Sequence, residues 1–330
     1  MTTLVTGATG FVGSAVARVL AGRGHTLRLL TRSGSDRRNL AGLDADIVTG
    51  DLTDPDSLDR AAAGCRFVVH VAADYRMWVP DPDAMLRANV DGALSMIRAA
   101  AKAGAERIVH TSSVAALGQI GDGTPADEAT PTNPDDFVGT YKRSKYLAER
   151  AVLDFARAES LPVVVVNPAA PVGPRDIKPT PTGKMILDAA AGRVPAFIDT
   201  GLNIVHVDDV AEGHALALEK GRVGERYVLG GENMLLKDIL ALVADVVHRK
   251  PPTIQLPEGL LWPAAFVMEK LAPLTGIAPM MTRDHLKMAR KKMFYASDKA
   301  IRELGYHPRP VREAVVDAVA WFRANGMLKA

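Results

Sequence analysis

Short apolar or β-branched runs recur through the first half of the chain, and most of the stretches between them carry apolar residues at helical spacing. The runs occupy residues 3–6, 26–31, 46–49, 67–72, 107–112 and 162–167. Strands that alternate with helices in this way are typical of a parallel sheet. Residues 163–166 are consecutive valines, a pattern that predicts a strand covered by helices on both faces. The chain is therefore predicted to form a doubly wound α/β fold.

The pattern changes after about residue 171, where Pro- and Gly-rich stretches separate isolated helical segments. These segments lie near residues 184–191, 234–249, 260–272 and 311–325. We predict that residues 1–172 form the sheet domain, that residues 203–224 return to it, and that residues 173–330 otherwise form a smaller, mostly helical region.

Three glycines, Gly7, Gly10 and Gly13, follow the first apolar run and precede a helical stretch. A glycine turn between a strand and a helix can bind a pyrophosphate, because the backbone approaches closely and the helix N-terminus attracts anions. The spacing is G-x-x-G-x-x-G rather than G-x-G-x-x-G, and an ordinary glycine-rich loop is the alternative interpretation. The turn predicts a dinucleotide-binding Rossmann sheet, with the C-terminal region covering the substrate.

Tyr141 and Lys145 open a strongly helical segment, where residues four apart share one face. A nearby cation favours the phenolate of a tyrosine, whose pKa is otherwise about 10, so the pair is a candidate acid or base. Ser113 follows the fifth apolar run, at the strand end where parallel sheets bind ligands. Its hydroxyl can bind a carbonyl oxygen, although a serine that merely ends a strand is the simpler interpretation of that motif alone.

A second Tyr-x-x-x-Lys motif, Tyr295 and Lys299, is predicted to be structural. Ser297 or Asp298 resembles the N-cap of the following helix, which places Tyr295 outside that helix. The two side chains would then not share a helix face.

Further motifs follow one another in a single order: Asp51-Leu52, Val71-Ala72-Ala73, Asn89-Val90-Asp91-Gly92, Asn167-Pro168, Val172-Gly173-Pro174, and residues 205–211 and 297–306. Together with the glycine turn and Tyr141-x-x-x-Lys145, they resemble the extended short-chain dehydrogenase/reductases over essentially the whole chain. Residues 73–78 and 174–183 are most similar to the hopanoid-associated sugar epimerase group, itself close to dihydroflavonol-4-reductase-like enzymes.

This resemblance implies that Tyr141 exchanges a proton with the substrate, that Lys145 holds the nicotinamide ribose and polarises Tyr141, and that Ser113 orients the substrate oxygen. The implied cofactor contacts, besides Tyr141 and Lys145, are Gly7, Thr9, Gly10, Phe11, Val12, Gly13, Asp51, Leu52, Ala72, Ala73, Asn167 and Pro168. The implied substrate contacts are Asp74, Tyr75, Trp78, Ser113 and Ala170.

His206-x-Asp208-Asp209 could be taken for a metal site. It matches a family segment that enters a helix, where the carboxylates would cap the helix. We therefore expect no bound metal.

The second apolar run ends at Arg32 and lacks the acidic residue that would bind both ribose hydroxyls of NAD. Arg32 can instead pair with the 2′-phosphate of NADP, and Arg37 and Arg38 lie close in sequence. Sugar-nucleotide epimerases of the family typically keep NAD and often carry Arg-Pro where this chain has Asn167-Pro168. Both departures favour NADP(H) over NAD.

The leading hypothesis is an NADP(H)-dependent oxidoreductase that transfers a hydride to or from a carbonyl or carbinol carbon, with a role in hopanoid or isoprenoid lipid elaboration. The first alternative is a nucleotide-sugar epimerase or dehydratase that retains NAD. The second is a non-catalytic dinucleotide-binding protein, against which the intact Ser113, Tyr141 and Lys145 argue. The expected partner is a small carbonyl, polyol or sugar-linked molecule, and a homodimer remains open.

The 40 Lys and Arg residues nearly balance the 38 Asp and Glu residues, giving a net charge of +2. This balance argues against a nucleic-acid partner. The single cysteine, Cys65, precedes an apolar run and is predicted to be buried and inert. Because the first strand begins near Thr3, we expect no signal peptide and a place in the cytoplasm or at its membrane face.

The stretch 254–282 is largely apolar, but prolines and charged residues interrupt it, so it is too broken for a membrane-spanning helix. It could be a lid, a membrane-surface contact or plain core packing. The basic run 287–292 could meet phosphates or anionic lipid, or could be a solvated helix face.

Overall fold

The central layer of the protein is a sheet of seven parallel strands. The computed structural model describes residues 1–76, 81–120, 122–133, 137, 139–257, 259, 261–275, 286 and 292–329. The strands are β1 (Thr2–Thr6), β2 (Thr26–Thr31), β3 (Ala45–Thr49), β4 (Phe67–His70), β5 (Arg107–Thr111), β6 (Val163–Pro168), β7 (Ala170–Val172), β8 (Ala196–Phe197), β9 (Gly201–His206), β10 (Arg226–Leu229), β11 (Glu232–Leu235) and β12 (Ile254–Gln255). The helices are α1 (Phe11–Gly22), α2 (Pro55–Ala62), α3 (Pro82–Lys102), α4 (Thr140–Ala158), α5 (Pro181–Ala190), α6 (Val207–Lys220), α7 (Leu236–Val246), α8 (Trp262–Thr275), α9 (Asp298–Leu304) and α10 (Val311–Ala324).

The strand order is β10-β6-β5-β4-β1-β2-β3, and the neighbouring strands are parallel throughout. The order reverses between β1 and β4, and doubly wound sheets bind ligands at such a switch point, beyond the carboxyl ends of the strands. The predicted doubly wound Rossmann sheet is confirmed. β10 was not predicted, because the four residues Arg226–Leu229 give too short an apolar signal.

Helices cover both faces of this sheet. In β6, Val164 and Val166 face the core that includes α1 and α6, whereas Val163 and Val165 face the core that includes α2, α3 and α4. All four valines are fully buried, as the uninterrupted run predicts. Residues in the latter core include Cys65, and burial raises the pKa of its thiol.

A third apolar cluster lies outside the main sheet. The small sheet β11-β9-β7 and the helices α5, α7 and α10 pack around it. Each of these helices lies within a few residues of its predicted position. The bounds are set by local chemistry, as at α5, where Pro181 is the first residue and the Thr180 hydroxyl caps the N–H of Gly183.

The expected role of Asp208 and Asp209 as helix caps is wrong. The side chain that caps α6 is His206, whose Nδ1 accepts from the N–H of Asp208 at 3.0 Å. The two carboxylates bind arginines brought from elsewhere in the chain, Asp208 to Arg175 and Asp209 to Arg309. Such long-range ion pairs override a local capping preference.

Candidate functional site

The glycine turn joins β1 to α1 at the switch point of the sheet. Gly7 has φ +71°, and a Cβ added there would lie 2.8 Å from the backbone nitrogen of Ala72. A Cβ added to Gly13 would lie 2.2 Å from the carbonyl oxygen of Gly7. Gly10 occupies the N-cap of α1 and supplies no side chain to it. The first-turn N–H groups of α1 thus remain suited to bind an anion.

A threonine fixes the segment that passes the glycine turn. The Thr6 hydroxyl accepts hydrogen bonds from the N–H groups of Val71 and Ala72, both at 3.1 Å. It also contacts His70 Nδ1 at 2.7 Å. This arrangement brings Ala72 beside the glycine turn, and Ala73 follows directly. Sequence reasoning missed Thr6, whose signal is its place as the last residue of β1.

Asn39 binds the same turn to a distant loop. Its side-chain amide is 4% exposed and donates to the carbonyl oxygens of Thr9 at 3.2 Å, Gly10 at 3.4 Å and Arg175 at 3.0 Å. Arg175 has φ +76°, which is unusual for a residue other than glycine. No sequence motif indicated this contact.

Ser113, Tyr141 and Lys145 come together above β5. Tyr141 lies in the first turn of α4, and its phenol faces the Ser113 side chain. The Ser113 hydroxyl also accepts from the N–H of Ala115 at 3.1 Å. Lys145 is 4% exposed, and its Nζ donates to the carbonyl oxygen of Thr111 at 2.9 Å. The structure thus places the three predicted catalytic candidates in one cluster.

Burial acts on both titratable members of this cluster. It lowers the pKa of Lys145 to about 8, and the nearby Glu149 carboxylate opposes that shift. Burial raises the pKa of Tyr141, and the hydrogen bond from Ser113 opposes that rise. Tyr141 is therefore a protonated phenol at neutral pH, able to donate a proton and to return to the phenolate beside an ammonium group.

Asn89 connects the candidate substrate segment to α4. Its Oδ1 accepts from the N–H of Asp74 at 2.7 Å, and its Nδ2 donates to the Asp74 carbonyl oxygen and to the Ser144 hydroxyl, both at 2.9 Å. Ser144 in turn donates to the Tyr141 carbonyl oxygen at 2.8 Å. Asn89 belongs to one of the sequence motifs but is not among the predicted site residues, and its amide connects Asp74 to Ser144.

Asn167 and Pro168 end β6 on the other side of the cluster. Asn167 Nδ2 donates to the carbonyl oxygen of Ser113 at 3.0 Å and to Glu149 Oε2 at 2.6 Å. Ala170 follows in β7 and is partly exposed. Asn167 thus supports the backbone of Ser113.

Asp51 and Leu52, two of the implied cofactor contacts, follow β3. The Asp51 carboxylate accepts from the backbone and hydroxyl of Thr53, which lower its pKa, with a smaller effect from the charge of Arg32. Leu52 packs against α3 at Gly92, where an added Cβ would lie 3.0 Å from it. Arg32 itself is exposed beside these groups.

The neighbouring arginines differ from Arg32. Both oxygens of Asp36 accept hydrogen bonds from the Arg38 side chain at 2.6–3.1 Å. Arg37 donates to the Thr31 hydroxyl at 3.3 Å. Arg38, although close to Arg32 in sequence, therefore already has its guanidinium bound by a carboxylate.

Asp74 and Tyr75, two of the predicted substrate residues, follow β4 at its carboxyl end. Asp74 pairs with Arg76, and Tyr75 is 46% exposed. Burial raises the pKa of Tyr75, and the charges of Asp176 and Asp74 add to this rise. Asp176, which sequence reasoning missed, is 1% exposed, and burial raises its pKa to about 6. Trp78 lies outside the described residues.

The second Tyr-x-x-x-Lys motif is not a site of this kind. Tyr295 is buried, and its hydroxyl accepts from Gln119 at 3.3 Å. Lys299 Nζ binds Glu225 at 2.6 Å and the carbonyl oxygen of Arg226 at 2.9 Å. Helix α9 begins between the two residues, as the sequence predicts.

Part of the apolar stretch 254–282 is described. In α8 the side chains of Phe266, Val267 and Leu271 are 45%, 53% and 49% exposed, which does not fit plain core packing for this face. Within the described part of the chain, no helix has the length and apolar character needed to cross a bilayer. Of the basic run 287–292, only Lys292 is described.

The fold and the glycine turn define a Rossmann-type dinucleotide enzyme. Residues 3–230 match the NAD dependent epimerase/dehydratase family, and the chain belongs to this family of extended short-chain dehydrogenase/reductases. The family and its relatives are NAD(P)-dependent reductases, epimerases and dehydratases, so the resemblance seen in the sequence is confirmed.

Three relatives cover nearly the whole chain. A putative dihydroflavonol 4-reductase from Synechocystis sp. is 44% identical over 98% of this chain and 95% of its own length. The sterol demethylase protein B of Methylococcus capsulatus is 34% identical over 99% of this chain and 100% of its own length. The crystal structure of gox2253 is 58% identical, covers 99% of each chain and superposes with a TM-score of 0.90.

Proposed function

We propose that this enzyme is an NADP(H)-dependent oxidoreductase acting on a carbonyl or carbinol carbon. The observation that carries the proposal is the cluster in which the Tyr141 phenol faces the Ser113 side chain, one helical turn from the buried Lys145 ammonium group. A nicotinamide bound beside this cluster would supply or accept the hydride. Lys145 and Tyr141 would hold its ribose side, and the glycine turn its pyrophosphate.

The residues present fit such a cofactor. The backbone of the glycine turn is so close to α1 and to Ala72 that side chains at Gly7 and Gly13 would fill the cradle, and α1 offers uncapped N–H groups to phosphates. We propose that the contacts implied by the sequence line this cradle. They run from Thr9 in the turn, with Phe11 and Val12 at the start of α1, to Ala73, Asn167 and Pro168 towards the nicotinamide. Arg32 supports NADP over NAD, because it is exposed at the end of β2, where the acidic residue that would bind the ribose of NAD is missing.

The proton chemistry follows from the geometry of the cluster. Ser113 would donate a hydrogen bond to the substrate oxygen and hold it near the Tyr141 hydroxyl. Tyr141 would give its proton to that oxygen during reduction, and the Lys145 ammonium group would stabilise the phenolate that remains. Asn89 would hold the Tyr141 segment in place through Ser144, and Asn167 would hold Ser113 in place through its carbonyl oxygen.

The substrate proposal rests on the relatives. Two of them are named for a dihydroflavonol 4-reductase and a sterol demethylase protein, which favours a hydrophobic, ring-containing alcohol or ketone, such as an isoprenoid lipid. The exposed apolar side chains of α8 support work at the cytoplasmic face of a membrane, where such a substrate would be found. We assign the substrate-covering role to residues 173–330 outside α6 and β10, with Asp74, Tyr75, Trp78 and Ala170 at the substrate edge.

The test is consumption of NADPH by the purified chain with a panel of carbonyl compounds that includes steroid and hopanoid ketones. Tyr141→Phe keeps the ring but removes the proton, so kcat should fall by about a hundredfold or more while NADPH affinity changes little. Tyr295→Phe is the matched control and should keep kcat within about twofold. Near-normal turnover by Tyr141→Phe would contradict the assignment.

An epimerase or dehydratase that retains NAD is the second candidate, because the family includes both activities. It would use the same residues but return the hydride to its own substrate. Tightly bound NAD in the purified protein, together with turnover of nucleotide sugars without net NADPH consumption, would favour this candidate over the reductase.

A further inference from the structure

We propose that Glu149 is a positioning residue of the site: its buried carboxylate keeps Lys145 in the ammonium form and fixes the backbone of Ser113 through Asn167. This role rests on the proposed function only for its effect on turnover. Its effect on Lys145 concerns the folded protein itself.

The Glu149 carboxylate is held on two sides. The residue is 1% exposed and follows Lys145 by one helical turn of α4, so both side chains lie on the same helix face. Its Oε2 accepts from Asn167 on β6 at 2.6 Å, and its Oε1 accepts from Arg226 on β10 at 2.7 Å. Both oxygens are therefore engaged, and the carboxylate cannot turn away without breaking a buried hydrogen bond.

Asn167 carries the influence of Glu149 to Ser113. The same Nδ2 group that donates to Glu149 also donates to the Ser113 carbonyl oxygen at 3.0 Å. Ser113 stands in extended backbone at the end of β5, directly before a short helical turn. A change at Glu149 that releases Asn167 thus frees the residue whose hydroxyl meets Tyr141.

The protonation of Lys145 depends on the charged groups around it, of which Glu149 is the anion. The titratable groups that face it are Tyr141 and Glu149 on α4, His70 on β4 and His110 on β5. Burial lowers the pKa of His70 to about 3 and that of His110 well below its ordinary value, so both imidazoles stay neutral above pH 6. Among these groups, Glu149 is the anion that offsets the desolvation of Lys145.

Two substitutions should move the Lys145 titration in opposite directions. Glu149→Gln keeps the size of the side chain, but it replaces one of the two acceptor oxygens by an NH₂ donor, removes the negative charge and leaves Arg226 uncompensated. Lys145 should therefore lose its proton at a pH lower by about one unit. Arg226→Gln leaves the carboxylate without its cation, so Lys145 should hold its proton to higher pH. A merely structural role would weaken both variants without this opposition.

The experiment measures the NADPH dissociation constant from about pH 6 to about pH 10 for wild type, Glu149→Gln and Arg226→Gln. The same variants are then compared in the pH profile of kcat on the best carbonyl substrate. Opposite displacements of the alkaline limb support the proposal, and displacements in the same direction, or none, overturn it.

Glu149→Asp keeps the negative charge and should show the alkaline limb of the wild-type pH profile. It therefore serves as a second test if Glu149→Gln folds poorly. Failure of Glu149→Asp to restore the limb in folded protein would also overturn the proposal. If wild type reduces no carbonyl, the proposed function fails, while the pH dependence of NADPH binding still decides the role of Glu149.

Discussion

Replacing Gly13 by Ala tests the contact that shapes the cofactor cradle. The added methyl group would meet three backbone atoms of the glycine turn, the nearest being the Gly7 carbonyl oxygen at 2.2 Å. Ordinary contact begins near 3.4 Å, so α1 and the turn must separate by about 1 Å. Backbone atoms cannot rotate away as a flexible side chain would, so the whole strain falls on the packing of α1 against β1.

The expected cost follows from this overlap. Overpacking of a buried position costs about 1–3 kcal/mol, and the clash with backbone argues for the upper half of that range. The better helix propensity of Ala returns about 1 kcal/mol, which leaves a net loss of about 1–2 kcal/mol in the free energy of unfolding. A shift of this size would also cost NADPH about one charge-assisted hydrogen bond from α1, or roughly tenfold or more in affinity.

Gly22→Ala is the matched control in the same helix. Gly22 is exposed, and a Cβ added there meets no atom within 4 Å, so the variant should be neutral or stabilised by up to about 1 kcal/mol. Urea unfolding and NADPH titration compare both variants with wild type. If Gly13→Ala matches Gly22→Ala in both measurements, the close packing of the turn on α1 is wrong.

Three further outcomes are expected. Arg32→Ala should weaken NADPH binding by about tenfold or more and leave NADH binding nearly unchanged. Arg38→Ala loses a side chain that Asp36 already binds, so it should leave the preference between the two cofactors unchanged. Equal loss of affinity for both cofactors in Arg32→Ala would contradict the assignment of Arg32 to the 2′-phosphate. Burial raises the pKa of Asp176 to about 6, so the protonated carboxyl stabilises the folded state below about pH 4, and this contribution is lost as the pH rises through 6. Asp176→Asn should therefore remove about 2–3 kcal/mol of pH dependence from the free energy of unfolding. An unchanged pH dependence in this variant would refute the prediction. Sedimentation with vesicles of anionic phospholipid should carry the wild type down and the Phe266→Ser/Leu271→Ser variant much less, and equal sedimentation of the two would remove α8 as the contact.

The sheet was largely predictable because each long strand repeats its signal locally. Buried parallel strands are continuous apolar runs, and six of the seven strands of the main sheet could be placed from them. The strand β10 could not be predicted, because its four residues are recognisable as a strand only when β6 provides their hydrogen-bond partners. The same limit applies to the short strands β7, β8 and β12, whose pairing is a tertiary property.

The residues of the candidate site also differ in whether a local sequence pattern predicts them. The i, i+4 spacing of Tyr141 and Lys145 and the strand-end position of Ser113 are local signals, and the structure brings these residues together. Glu149 and Asn39 act through contacts with residues far away in the chain, which no local pattern encodes. Their roles are visible only after folding, because a buried carboxylate or amide is chosen by the partners that surround it.

The amide of Asn39 also bears on how this enzyme can be redesigned. The glycine turn and the start of the proposed substrate region are far apart in sequence. The Asn39 NH₂ group nevertheless donates to carbonyl oxygens of both, Thr9 and Gly10 in the turn and Arg175 in the other segment. The left-handed backbone of Arg175 goes with this position of its oxygen. A loop taken from a relative to change substrate preference therefore has to reproduce the backbone at position 175, whatever side chains it brings. A graft that fails to do so will disturb nucleotide binding before it alters specificity.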